Sequence, residues 1–185
     1  MTEQFGGIIL AGGKSSRMGT DKGLMMYRGK LLAQYAIDLL RPLCSEIIIS
    51  TNDPDYEQFG LKTVPDSFYN CGPLGGLHAA LSESRFNYNM VVSCDVPFVV
   101  PELFSLLLAE RQGADVVVPV HQNGIEPLVA LYRKEVASLL EIKLMAGNYR
   151  VQQVIRSCHA REVAVDGLLK RYPDLFRNLN AMVDL

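Results

Sequence analysis

The sequence predicts an α/β fold in which helices cover both faces of a β-sheet. Short apolar or β-branched runs alternate with stretches of helical periodicity along the chain. Most strand candidates are apolar throughout, as expected of strands buried on both faces rather than one. Three segments rich in glycine or charged residues follow strand candidates directly, at the carboxyl ends where open α/β sheets bind ligands.

The first strand candidate is 7–10, ending in Ile8-Ile9-Leu10. A helix follows from Leu32, with Tyr35, Ala36, Leu39 and Leu43 at three- and four-residue spacing. Strands are then expected at 46–51 and 62–64. Leu74, Leu77 and Leu81 mark a second helix, and 90–94 the next strand. Pro101 suits a first helical turn, with Leu103, Phe104, Leu107 and Leu108 as a buried stripe before Gly113. Strands at 115–119 and 128–132, a helix over 134–142, a helix from near Tyr149 and a strand at 162–165 complete the alternation. The more polar segment 166–180, with Tyr172-Pro173, reads as a final helix or loop packed back on the rest.

At 185 residues the chain is long enough for one domain with a proper core. The expected organisation is a single domain over 1–185, without internal repeat or low-complexity tract. A formal net charge of −2 argues against a general nucleic-acid or membrane-surface binder. An anionic ligand must therefore be held by local positive charge. Cys44, Cys71, Cys94 and Cys158 form no C-x-x-C pair, and His78, His121 and His159 are equally scattered, so a structural zinc site is not expected. Unpaired thiols, no signal-peptide pattern and no apolar run of transmembrane length give a cytoplasmic expectation.

The segment Leu10-Ala-Gly-Gly-Lys-Ser-Ser-Arg-Met-Gly-Thr-Asp-Lys22 carries the strongest chemical signal. Gly12 and Gly13 allow a sharp turn whose N–H groups approach a ligand, and Lys14, Arg17 and Lys22 suit a polyanion such as a triphosphate. A solubilising surface turn would look similar in composition. The string is neither the P-loop pattern nor the dinucleotide G-x-G-x-x-G. Asp95 ends an apolar strand before Val96-Pro97 and suits a Mg²⁺ ligand, or a plain turn aspartate. Asp66 follows Val64-Pro65, again at a strand end, where an Asx-turn is the structural alternative. Gly72-Pro-Leu-Gly-Gly76 reads as a turn into a helix whose N-terminal N–H groups favour anions or carbonyl oxygens.

The pattern L-A-G-G-x-S-x-R-M-G-x-D-K resembles the opening of the molybdenum cofactor guanylyltransferases (the MobA family), within the nucleotidyltransferase superfamily. Ser93-Cys-Asp-Val-Pro97 is similar to that family's metal-binding C-D-x-P motif, Gly72-Pro-Leu-Gly-Gly76 to its G-P-L-x-G motif, Glu126-Pro-Leu-Val-Ala-Leu-Tyr132 to its P-L-x-A-x-Y strand, and Phe176-Arg-Asn-Leu-Asn180 to its F-x-N-x-N motif. The motifs keep their order from Leu10 to Asn180. The resemblance implies a three-layer αβα, Rossmann-like nucleotidyltransferase fold with a mostly parallel sheet. It implies Mg²⁺-dependent transfer of GMP from GTP to molybdenum-molybdopterin, with pyrophosphate released. It assigns nucleotide contacts to Leu10, Ala11, Gly12, Gly13, Lys22, Ser50, Asp66, Gly72, Gly76 and Asp95, catalysis to Arg17, Lys22 and Asp95, the metal to Asp95, and the second substrate to Asn178 and Asn180. Molybdoenzymes or other cofactor-biosynthesis proteins are further candidate partners. Many relatives carry His where Glu126 stands, and most continue after the last motif with Thr-Pro-Glu rather than Ala181-Met182-Val183, so position 126 receives no role.

Two other readings stay open on the sequence. One is a related nucleotidyltransferase using CTP or another phosphorylated acceptor, separated by nucleotide preference. CMP-transferring relatives usually have L-A-A-G where this chain has Leu10-Ala11-Gly12-Gly13. The other is a non-catalytic nucleotide- or pterin-binding adaptor, which could dispense with Lys22 and Asp95.

Overall fold

A computed structural model describes residues 3–12 and 21–179 of the chain. Its strands are β1 (Gly6–Leu10), β2 (Met26–Tyr27), β3 (Lys30–Leu31), β4 (Glu46–Ser50), β5 (Lys62–Val64), β6 (Tyr88–Ser93), β7 (Val116–His121), β8 (Gly124–Ile125), β9 (Val129–Arg133) and β10 (Ala160–Ala164). Its helices are α1 (Leu32–Leu40), α2 (Pro73–Glu83), α3 (Pro101–Ala109), α4 (Val136–Met145), α5 (Val151–Ile155) and α6 (Asp166–Arg171). The main sheet runs β10-β7-β9-β6-β1-β4-β5, with β8 paired to β7. Its β6-β1-β4-β5 half is parallel and β10 is parallel to β7, whereas β9 runs antiparallel between β6 and β7. This is the mostly parallel α/β sheet the motifs implied.

Side-chain alternation divides the core into two layers. Ile9, Ile47, Ile49, Met90, Val92 and Val117 pack with residues of α1, α3 and α6 on one face. Ile8, Leu10, Ile48, Val91, Val116 and Val118 pack with α2, α4 and α5 on the other. Both sets are almost wholly buried, which explains why these strands read as unbroken apolar runs. After β1 the chain adds β4 and β5 on one side, then crosses through α2 to place β6 on the other side of β1. The carboxyl end of β1 is therefore a topological switch point, the usual place for a ligand crevice.

Boundary differences have local causes. The helix from Leu32 stops at Leu40 because Pro42 follows, although Leu43 still packs against the core. The strand expected at 90–94 starts at Tyr88: Asn89 is buried, its amide accepting from the Ser84 hydroxyl and donating to the Phe86 carbonyl at 3.1 Å, so a residue that reads as a turn is satisfied inside the sheet. The strand expected to end at Pro119 continues to His121, where β8 takes over as its neighbour. The helices expected at 134–142 and near Tyr149 run over Val136–Met145 and Val151–Ile155. The β2–β3 hairpin was not expected. Its turn holds Arg28 at φ 47° and Gly29 at φ 80°, the pair of positive angles a tight hairpin needs, but Arg-Gly is a weaker signal than Asn-Gly. The segment after α6 does pack back, with Leu175 and Leu179 buried.

Candidate active site

The register of the parallel strands aligns the site. Leu10 of β1 pairs with Ser50 of β4 and with Ser93 of β6, and Ser50 pairs with Val64 of β5. One row of backbone thus crosses four strands at their carboxyl ends. The residues just beyond it are those that the motifs singled out: Gly12, Asp66 and Asp95.

On the β1-β4-β5 side, Leu10, Ala11, Gly12, Ser50, Asp66, Gly72 and Gly76 line a single small niche. The structure brings together all the nucleotide-contact candidates of this side that lie among its described residues. Gly72 precedes α2 at φ 61°, a left-handed angle suited to glycine, and Pro73 occupies the first turn. Gly76 sits directly against β4: a Cβ there would lie 2.5 Å from Ser50 Oγ and 3.2 Å from Asp66 Oδ1. Ser50 is buried, and its hydroxyl hydrogen-bonds to the Asp66 carboxylate. Burial raises the Asp66 carboxyl above the ordinary range, and hydrogen bonds from Asn52 and Ser50 offset part of that rise. The Asp66 N–H also donates to Asn52 Oδ1 at 3.0 Å. The niche shares Gly12, Asp66 and Gly72 with a larger cleft of about 770 Å³, whose walls include Asn52, Asp53 and Tyr69.

On the β6 side, Lys22 Nζ lies 3.7 Å from Asp95 Oδ2, and both side chains remain partly open to solvent. Asp95 Oδ1 accepts from the Ser93 hydroxyl at 2.6 Å, which fixes the rotamer of the carboxylate. Lys22 begins a 3-10 turn, Lys22–Leu24, capped by Asp21, whose Oδ1 accepts from Gly23 N–H at 2.9 Å. The same oxygen accepts from the hydroxyl of Tyr56, a fully buried residue of the 3-10 segment Pro54–Phe59. Burial, with the neighbouring Cys94, holds the Tyr56 phenol far above its usual range, so it remains a donor. Tyr56 thereby anchors Asp21, and Asp21 sets the turn that carries Lys22.

This anchor leaves room for glycine alone at position 23. An added Cβ would overlap the Tyr56 hydroxyl and lie 3.1 Å from Cys94 Sγ. Gly23→Ala is expected to destabilise the protein by about 1–3 kcal/mol, the usual cost of overpacking. Thermal melting measures this directly, and an unchanged midpoint would remove the anchor from the account.

On the far side of β6, His121 Nε2 lies 2.9 Å from Glu126 Oε1, and the His121 ring stacks on Phe176 at 5.3 Å between centroids and 12° between planes. Asn178 is exposed two residues later, and Leu179 N–H donates to the Asp95 carbonyl at 2.9 Å. Glu126, given no role from sequence, is thus the partner of His121.

Gly13, Lys14, Arg17 and Asn180 lie outside the described residues. Asp21, Asn52, Tyr56 and His121 belong to the site region but were not singled out for it. Asp21 had a signal, the D-K pair closing the first motif. Tyr56 had none, because Asp21 is distant in sequence, and for His121 the distant contact is the stack on Phe176, Glu126 being only five residues away. Burial drives the Cys94 thiol up, out of the range of a nucleophile. It likewise raises Cys44, which lies away from the site, to about 12. His78 is buried on α2 with its ring edge-on to Phe68, a core-edge residue as its spacing suggested.

The MobA-like NTP transferase domain family matches residues 7–163. A probable molybdenum cofactor guanylyltransferase of Pelotomaculum thermopropionicum is 35% identical over 185 residues, which cover 98% of this chain and 90% of that protein. The molybdenum cofactor guanylyltransferase of Yersinia pestis is 34% identical, with 100% of this chain and 94% of that protein covered. Among solved structures, molybdopterin-guanine dinucleotide biosynthesis protein A from Archaeoglobus fulgidus superposes with a TM-score of 0.80 at 26% identity, covering 97% and 94% of the two chains.

Proposed function

Because this chain belongs to the MobA-like NTP transferase family, we propose that it transfers GMP from GTP to molybdenum-molybdopterin, giving the guanine dinucleotide cofactor and pyrophosphate. The observation that carries this reading is the convergence, at one sheet edge, of a glycine-lined niche and the Lys22–Asp95 pair. The chain acts as one nucleotidyltransferase domain. No helix among the described residues is long and apolar enough to cross a membrane.

The terminal phosphate of the acceptor attacks the α-phosphate of GTP. A bond forms from the acceptor oxygen to that phosphorus, and the bond to the pyrophosphate oxygen breaks. The acceptor is already an anion, so no strong general base is required. The difficulty is to bring two anions together and to stabilise charge on the leaving pyrophosphate, which calls for positioning and electrostatics. Lys22, and Arg17 and Lys14 from the same motif, supply positive charge to the phosphates. Gly12, and Gly13 of the same motif, carry no side chain to hinder their close approach. Asp66, held by Ser50 and Asn52, offers acceptor oxygens to the donor groups of a base in the adjoining cleft.

Asp95 fits a Mg²⁺ ion. It is a hard oxygen ligand with one oxygen occupied by Ser93 and the other facing Lys22. Asp95 would be the carboxylate ligand of an ion that completes its shell with substrate phosphates and water. When bound, Mg²⁺ would neutralise charge on the triphosphate. Exposed Asn178, and Asn180 of the same motif, are the candidates for the second substrate, since their amides can both donate and accept. Molybdoenzymes or other cofactor-biosynthesis proteins are the candidate recipients of the product.

Gly12 gives a clean test of base choice. Among the described residues a Cβ there meets nothing within 4 Å, and its backbone is not left-handed, so Gly12→Ala adds a methyl beside the niche without a clash against them. A glycine at this position admits the larger purine. The variant is expected to lose GTP affinity about tenfold relative to CTP, read from KM for each nucleotide. Full retention of GTP preference would assign selectivity elsewhere. For the wild type, each of four NTPs labelled at the α-phosphate is offered with molybdenum-molybdopterin. Label in the dinucleotide from GTP alone supports the reading, and label from CTP would change the product while keeping the mechanism.

A further inference from the structure

The His121 cluster ties the end of the chain to the proposed acceptor site. His121 terminates β7, its side chain only 7% exposed. Its Nδ1 accepts from Asn123 N–H at 3.3 Å, which leaves Nε2 to donate to Glu126 at 2.9 Å. Glu126 is itself fixed, its N–H donating to the Pro119 carbonyl at 3.0 Å. The imidazole plane is therefore locked by groups of the β7–β8 hairpin, and Phe176 lies flat against it. Three residues further on, Leu179 is buried beside Tyr27 and Leu32 and bonds to the backbone carbonyl of Asp95. The tail is pinned on both sides of exposed Asn178: at 176 by a ring stack, and at 179 by apolar burial and a backbone bond.

We propose that His121 is a positioning residue for the acceptor: by holding Phe176, it fixes where the amide of Asn178 stands relative to Asp95. The inference rests on the acceptor assignment made above for Asn178. It gives Glu126 a role without substrate contact. Its carboxylate orients His121, so the negative charge at this position is engaged by an N–H donor instead of facing an incoming phosphate. It also explains how the motif can work with an altered sequence after residue 180, since both pins precede that point.

The test compares His121→Ala and Phe176→Leu with the wild type. Phe176→Leu keeps apolar bulk and removes only the flat ring, so it guards against a gross folding defect. Each variant is expected to raise the KM for molybdenum-molybdopterin about tenfold, leaving KM for GTP and kcat at saturating acceptor within about twofold. The double variant is expected to be no worse than the worse single one, because both changes break one unit. Amide hydrogen exchange at Leu179 is expected to quicken in each variant while β6 stays protected. An unchanged acceptor KM would overturn the proposal, as would an equal rise in both substrates' KM, or a KM rise without faster exchange at Leu179. Failure of the wild type itself to transfer GMP to this acceptor would instead overturn the functional reading on which the inference stands.

Discussion

Asp95→Asn is expected to lower turnover by about 10²–10³, equivalent to ~2.7–4 kcal/mol, the cost of deleting one preorganised electrostatic group. The substitution keeps the shape of the side chain and an oxygen to accept from the Ser93 hydroxyl, and it removes the charge. Only the proposed metal site and the contact with Lys22 are lost. Because that contact is 3.7 Å long and partly exposed, its share of stability is small, about 0–1 kcal/mol. A chain of this size would then melt within about 2–4 °C of the wild type. A large drop in turnover with an almost unchanged melting point assigns Asp95 to chemistry. Near-normal turnover would remove it from the mechanism.

Lys22→Ala is expected to show a loss of the same order, about 10²–10³ in turnover, for a different reason. In the proposed mechanism Lys22 would supply positive charge where the reaction accumulates negative charge, on the α-phosphate and the departing pyrophosphate. Its place is set by the Asp21 cap and, behind it, by the buried Tyr56 hydroxyl. The truncation leaves that cap intact, so the fold is expected to persist. Steady-state rates with GTP and acceptor, beside binding of GTP by titration, separate the roles. A fall in kcat with modest weakening of GTP binding places Lys22 in the transition state. Loss of binding alone, with kcat preserved, would make it a ground-state anchor.

The sequence made the sheet and the site's nearest residues legible because those features are local. Buried strands such as β1 and β6 announce themselves as apolar runs, and the functional segments follow them directly along the chain. Leu10, Gly12, Asp66, Gly72 and Gly76 could thus be named as one group, and the structure brings them into one niche. The supporting contacts are another matter. Tyr56 reaches Asp21 across 35 residues, and Phe176 reaches His121 across 55, a separation no periodicity encodes. Ser50 shows an intermediate case: its place at the end of β4 was legible, but its bond to Asp66, beside a Gly76 whose added Cβ would crowd both side chains, was not. The β2–β3 hairpin escaped because strands of two residues carry no alternation to detect.

The most direct test of the central claim uses purified protein, Mg²⁺, molybdenum-molybdopterin and GTP labelled at the α-phosphate. The account predicts labelled guanine dinucleotide cofactor with an equal amount of pyrophosphate, and loss of both in Asp95→Asn. Folded protein that binds GTP yet transfers no label to this acceptor would contradict it, and would leave an adaptor or a different phosphorylated acceptor as the reading to pursue.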